Sequence, residues 1–415
     1  MEQFEPDPLS PAQLAAAHRT LTRGRGAVTR RSLLRASGAG ALTLGGLAAL
    51  TGCGIPAAKR EGGAPASSDH SAAEKVVNFS NWTEYMDVSD DGKHRPTLEA
   101  FTRRTGIKVK YTEDINDNVE FFGKIKPQLA AGQDTGRDII ILTDWLAARL
   151  IRFGWVERLD SALLPHAYAN LSEQFRTPDW DPGRAYSYPW AGIPTVIAYN
   201  TKATGGRKVD SVTQLLDDPR LKGRVGFLSE MRDSIGMTLL DMGKDPAKVT
   251  AADYDAAIGR LQKGVDNKQI RRFTGNDYIS DLDKGDIAAC IAWGGDITQL
   301  QSDNPHVEYA IPAAGYMTSS DNMMIPAGAR HTSNAERLMD YYYEPAVAAQ
   351  LTAYTNYLSP VDGVRTELAK IDPKLAASRL ILPDKAMAAR SHSFRSLSSK
   401  EETAYEEKFS RLIGA

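Results

Sequence analysis

Three consecutive isoleucines, Ile139-Ile140-Ile141, in the run RDIIIL constrain the fold of this 415-residue chain more than any other stretch. A strand with one wet face alternates apolar and polar side chains. An unbroken β-branched run therefore reads as a strand covered on both faces, as in a parallel sheet flanked by helices. The neighbouring stretches keep that rhythm: KVVNFS (75–80) as a strand, 96–104 as a helix, IKVKYTE (107–113) as a strand, 118–131 as a helix, and 144–152 as the helix after the isoleucines. Open sheets of this kind bind ligands beyond the carboxyl ends of their strands. That rule singles out NWTEY (81–85) after the first strand and Thr143-Asp144-Trp145 after the third.

A second unit follows. SYPWAGIPTVIAYN (187–200) carries Pro189 and Pro194 around an expected crossover, and RVGFLSEMRDSIGMTLLDMG reads as strand, loop and helix. KGDIAACIAWGGDITQL repeats that pattern, its apolar strand ending in Trp293-Gly294-Gly295-Asp296. HVEYAIPAAGYMTSSDNMMIP supplies two more strands. SNAERLMDYYYEP opens a helix with Ser333 or Asn334 as cap, and Ser398-x-x-Glu401 has capping-box spacing ahead of an amphipathic last helix. About 340 residues in a chain that is 42% hydrophobic exceed what one core usually serves, so two lobes are expected.

The N-terminal residues read as an address. Arg30-Arg31 precede Ser32-Leu33-Leu34, an uncharged, glycine-rich run over 36–51, and Leu50-Thr51-Gly52-Cys53. The order resembles a twin-arginine export signal ending in the lipobox of bacterial lipoproteins, where the cysteine is acylated. The run is short for a transmembrane helix. The expected organisation is a signal over 1–52 and a flexible tether over 53–74. A discontinuous first lobe of 75–193 and 294–345 follows, with a second lobe of 194–293 and C-terminal helices over 346–415 packing on both. The expected location is outside the cell, anchored to the outer face of the membrane by lipid on Cys53. Cys290 is the one other cysteine, so no disulfide is expected. Six arginines and three acids leave with residues 1–52, taking the formal net charge of −2 three units further negative, which argues against a nucleic-acid partner.

From Val76 to Leu412 the residues resemble the polyamine-binding proteins (spermidine/putrescine type) that serve ABC importers. The likeness rests on Asn81-Trp82-Thr83-Glu84-Tyr85, Gly106 to Val109, GWVERLD at 154–160, Trp293-Gly294-Gly295-Asp296, and Asp321 before MMIPA. It implies an α/β, two-lobed, periplasmic-binding-protein-like (Venus-flytrap, type II) fold with mainly parallel sheets and a ligand cleft between the lobes. It also implies a monomer that delivers a polyamine to permease subunits, with no enzyme activity, no cofactor and no metal.

A polyamine carries ammonium groups at fixed spacing on a methylene stem, so its site needs aromatic flats and carboxylates. An ammonium over an indole gains roughly 0.5 to 2 kcal/mol, and a carboxylate adds a charge-assisted hydrogen bond. By resemblance, Trp82 and Tyr85 form one wall with Thr83 beside them, and Thr143 and Trp145 follow the third strand. Glu230 and Asp233 supply acids from the second lobe. Trp293 pairs with Asp296, the expected principal ammonium partner, and Asp321 and Tyr357 complete the set. Each residue also has a plainer reading: Trp82 as core, Asp144 and Asp296 as helix caps, Glu230 and Asp233 as solvated loop acids, Tyr357 as a helix terminus. Phe394-Arg395 falls where spermidine-type members have an uncharged polar contact, and an arginine there would repel a cation.

Other solutes remain open. Tyr341-Tyr342-Tyr343 suggests ferric-ion capture, and the tryptophans suggest sugar stacking. A secreted hydrolase using Asp296 and Asp321 is the alternative of a different class, but the chain has no nucleophile elbow, and its seven histidines are scattered.

Overall fold

The structure, a computed structural model, describes residues 68–414. Arg30, Arg31 and Cys53 lie outside the described residues. Among the described residues ten strands form one sheet, eight of them in the order β2-β1-β3-β9-β4-β7-β5-β6. These are β1 (Val76–Trp82), β2 (Lys108–Ile115), β3 (Ile139–Thr143), β4 (Tyr188–Asn200), β5 (Val225–Leu228), β6 (Ile270–Thr274), β7 (Ala289–Trp293) and β9 (Tyr316–Met324). Strand β8 (Val307–Ala310) pairs with β4, and β10 (Ser391–His392) with β9.

The triple isoleucine is covered on both sides. Ile139 and Ile141 enter one core with Val77 and Phe79. Ile140 and Leu142 enter another, made by α2 (Asn118–Ala130) and α3 (Asp144–Phe153) through Phe121, Ile125, Leu146 and Leu150. A two-residue period sorts alternate side chains into opposite layers. Helix α1 (Pro96–Thr105) packs Leu98 and Phe101 on the first of these cores.

Two strands serve both lobes. On β4, Tyr188, Trp190 and Ala191 pack in the first lobe, and Val196 to Tyr199 in the second. On β9, Tyr316 and Met317 belong to the second lobe and Met323 to the first. The two pair antiparallel from Tyr188 opposite Met323 to Thr195 opposite Met317. Within the lobes β1 is parallel to β2 and β3, and β5 to β6 and β7. The crossover strands run antiparallel to each other and to β3, β7 and β8, so the sheet is mixed where a mainly parallel one is expected.

The expected lobe boundaries change accordingly. Helix α6 (Gly294–Asp303) and β8, assigned to the first lobe by sequence, place Ile297, Leu300, Val307 and Ala310 in the second core. That core also contains α4 (Met231–Asp241), α5 (Ala251–Asp266) and α8 (Ser399–Ile413), the last through Tyr405, Phe409 and Leu412. Residues 346–415 thus divide: Val347 to Val364 pack in the first lobe, and Leu397 to Leu412 in the second. A strand spanning both lobes leaves no break in pattern, so the boundary falls within it.

Residues 68–74 are not a tether. The His70 N–H donates to the Arg330 carbonyl at 2.7 Å, and Glu74 lies 2.9 Å from His331 Nε2. Helix α7 (Thr332–Tyr341) begins after His331, so Ser333 and Asn334 sit inside it rather than capping it. Their side chains hold the N-terminal segment instead: Ser333 donates to Asp69, and Asn334 to the Glu74 carbonyl at 2.9 Å. The capping box of Ser398 and Glu401 forms at the start of α8. Among the described residues no helix is long and apolar enough to cross a membrane.

Candidate functional site

Asp321 sits on β9 opposite both Thr143 of β3 and Ala191 of β4, at the edge of the first lobe. It is 5% exposed. Thr143 Oγ1 donates to one carboxylate oxygen at 2.8 Å and the Tyr85 phenol to the other at 3.0 Å. Asn118 donates to Thr143 Oγ1 at 2.9 Å, which directs the hydroxyl proton at the carboxylate. Burial pushes the Asp321 carboxyl up to about 6, against the pull of these two hydroxyls. Tyr85 reaches this position because Glu84 takes φ = 60° and turns the chain at the end of β1.

Asp296 lies in the first turn of α6, directly after β7, and three neutral groups donate to it. They are the Tyr278 phenol at 2.6 Å, the Asn276 amide at 3.0 Å and the Tyr357 phenol at 3.2 Å. Its side chain does not cap α6, whose flanking residue is Trp293. The glycines before it allow close approach: a Cβ on Gly295 would stand 2.8 Å from the Tyr357 ring, and one on Gly294 2.8 Å from Pro194. The Tyr357 and Tyr85 rings meet edge to face at 5.3 Å.

Asp233, on α4, is the third buried acid. It accepts from Thr195 Oγ1 at 2.6 Å and from Trp293 Nε1 at 2.9 Å. Burial raises its carboxyl, opposed by these two donors and by the Arg232 charge. Among the described residues no lysine, arginine or histidine stands within ion-pair distance of Asp321 or Asp233. Three carboxylates from β9, α6 and α4 thus converge on aromatic rings and hydroxyls, a composition suited to an organic cation.

Residues 97–377 match the family described as bacterial extracellular solute-binding protein. The chain belongs to that family. It is 30% identical over 303 residues to the putrescine-binding periplasmic protein PotF of Escherichia coli, covering 69% of this chain and 78% of that one. Its fold is similar to that of the spermidine/putrescine ABC transporter substrate-binding protein PotD of Streptococcus pneumoniae, with TM-score 0.70 and 20% identity over 81% of this chain and 98% of the other. It is also similar to the Tp0655 (TpPotD) lipoprotein of Treponema pallidum, with TM-score 0.67 and 19% identity over 82% and 100% of the two chains. As a solute-binding protein it is not an enzyme, and the two-lobed periplasmic-binding-protein-like fold is the family's architecture.

Within this solute-binding protein the expected site residues separate. Tyr85, Thr143, Asp296, Asp321 and Tyr357 are linked through the contacts above, and Trp293, which holds Asp233, joins them by donating its backbone N–H to the Tyr278 phenol at 3.0 Å. Trp82 is half-buried; its Nε1 donates to the Ile141 carbonyl at 3.0 Å, and its ring packs on both first-lobe cores. Thr83 is exposed, its hydroxyl 3.4 Å from Asn116. Glu230 flanks α4 and caps it, accepting from the Arg232 N–H at 3.3 Å. Trp145 faces two arginines, the Arg149 and Arg232 guanidinium carbons lying 4.9 and 5.0 Å from its ring centre. Asp144 is the first residue of α3, whose flanking residue is Thr143, so it is not the cap. Burial pushes its carboxyl up to about 7.

Arg395 is neutralised, bonded to Glu401 at 2.6 Å and to the Val249 carbonyl at 2.8 Å. The three tyrosines considered for iron are buried packing residues. Tyr341 and Tyr343 donate to the Thr97 and Pro189 carbonyls, and Tyr342 bonds the Thr97 hydroxyl. Sequence reasoning missed Tyr278, Asn276, Thr195 and Asn118. Asn276 and Tyr278 follow the carboxyl end of β6, so the rule that selected NWTEY selects them as well.

Proposed function

We propose that this protein captures a polyamine of the spermidine/putrescine class outside the cell and hands it, as a monomer, to the permease of an ABC importer. The observation that carries this reading is that Asp321 and Asp233 are buried carboxylates held by neutral donors alone. Asp296 stands beside them among phenols. A buried carboxylate without a counter-cation is costly, and an arriving ammonium relieves that cost while its own charge is satisfied. The Tyr85, Tyr357 and Trp293 rings offer apolar surface for the methylene stem. The names of the relatives point to the same ligand class.

The export reading belongs to this proposal. Arg30-Arg31 direct twin-arginine export, and acylated Cys53 keeps the protein beside its permease; one fold relative is itself called a lipoprotein. Calorimetric titration of residues 68–415 with putrescine, spermidine, a sugar panel and ferric ion tests the function. One amine bound per protein is expected. Binding of a sugar or ferric ion with no amine response would overturn the reading.

A further inference from the structure

The acidic cleft meets an arginine where Trp145 and Glu230 are expected to line it. Arg232 is the second residue of α4, directly before Asp233, and its side chain is 12% exposed. Its guanidinium carbon stands 5.0 Å from the centre of the Trp145 ring. One terminal nitrogen lies 2.9 Å from Glu402; the other lies 3.1 Å from Glu406 and 3.6 Å from Glu230. A cation on an indole face, ringed by carboxylates, is the arrangement an organic ammonium would adopt. Here the chain's own side chain adopts it.

The glutamates at this end are all engaged, and Asp144, beside Trp145, has its carboxyl pushed up to about 7 by burial. Glu402 also holds Arg149 at 3.1 Å and Arg152 at 3.2 Å, and Arg149 shares the Trp145 ring. Three arginines therefore face Glu230, Glu402 and Glu406. An ammonium entering from Asp233 would meet a fixed guanidinium, with the three glutamates around it already engaged by arginine. The arrangement also bridges the lobes, since Trp145, Arg149 and Arg152 belong to α3 of the first lobe and Arg232 and Glu402 to the second.

We propose that Arg232 is a specificity-determining residue: its guanidinium occupies the cation subsite on Trp145, so the cleft accepts a diamine and rejects the third ammonium of a triamine. This inference rests on the polyamine reading above. A diamine needs only the carboxylates of Asp321, Asp296 and Asp233. A triamine long enough to pass Asp233 brings a like charge against a buried cation fixed on the Trp145 ring by its contacts to Glu402 and Glu406.

The test compares dissociation constants for putrescine and spermidine, measured by calorimetry at one ionic strength, in the wild-type protein and in Arg232→Ala. The wild type is expected to prefer the diamine by at least about tenfold, and the variant to lose most of that preference through tighter spermidine binding. If the alanine variant unfolds, Arg232→Met keeps the stem packed on Trp145 while removing the charge, and the same loss of preference is expected. A wild type that binds spermidine as tightly as putrescine, or a folded variant with an unchanged ratio, overturns the role of Arg232 and leaves the polyamine reading standing. A wild type that binds neither amine overturns both.

Discussion

Tyr85 and Tyr357 meet edge to face with ring centres 5.3 Å apart, and each gives its phenol proton to a different buried acid, Tyr85 to Asp321 and Tyr357 to Asp296. The pair thus joins an acid on the crossover strand to an acid on a second-lobe helix. A cation entering beside them competes for carboxylate lone pairs that the phenols now hold.

Removing the charge of either acid should weaken putrescine binding by roughly 2 to 5 kcal/mol, the range for breaking one partner of a buried charge pair. Tyr357→Phe, which deletes a neutral donor and keeps the ring, should cost about 1 kcal/mol. Titration calorimetry of Asp321→Asn, Asp296→Asn and Tyr357→Phe reads both. Equal losses in all three would show that the charge is not what holds the ligand.

Binding should release protons near pH 6. The unliganded Asp321 carboxyl, raised to about 6 by burial, still carries part of a proton there, and an ammonium favours the ionised form. Affinity should fall as pH drops from 7 to 5. Titrations at pH 6 in buffers of different ionisation enthalpy count the protons, and uptake on binding would contradict the assignment. In the unliganded protein the sign is opposite to that of a salt-bridged acid. Because the folded value lies above the ordinary 3.8, Asp321 subtracts stability as pH rises between the two.

Trp82→Leu should destabilise the unliganded protein by roughly 1 to 3 kcal/mol, since the ring packs on both first-lobe cores and its N–H serves the Ile141 carbonyl. Denaturant melts compare it with wild type. An unchanged midpoint with weakened putrescine binding would return Trp82 to the ligand wall expected from sequence.

Deleting residues 68–74 should lower the melting temperature, more at pH 6 than at pH 8.5. Burial disfavours charge on His331, but the Glu74 and Asp138 carboxylates outweigh it and raise its pKa. The stabilisation is complete below the ordinary value of 6.5 and fades as pH rises through the raised one. Melting of the truncated and longer proteins at the two pH values measures it, and a pH-independent difference would remove His331 from the account.

The sequence by itself determined what a few adjacent residues decide. Ile139 to Ile141 required cover on both faces of a strand, Ser398 and Glu401 closed their capping box, and the acids at 233, 296 and 321 stood where strands end or cross. Such features follow from the two-residue period of a strand and from unpaired amides at a helix start. Tertiary structure decided which of these side chains meet. Tyr85 reaches Asp321 across 236 positions of chain and Thr143 reaches it across 178, while Trp82, equally aromatic and equally at a strand's end, turns to the core. It decided too that Arg232 and Arg149, not a ligand, lie against Trp145, and that residues 294–310 join the second lobe. A local pattern says that a side chain leaves its strand or helix on a given face. Only the packing of distant elements sets what waits there, because burial and Coulomb energy depend on distance in space.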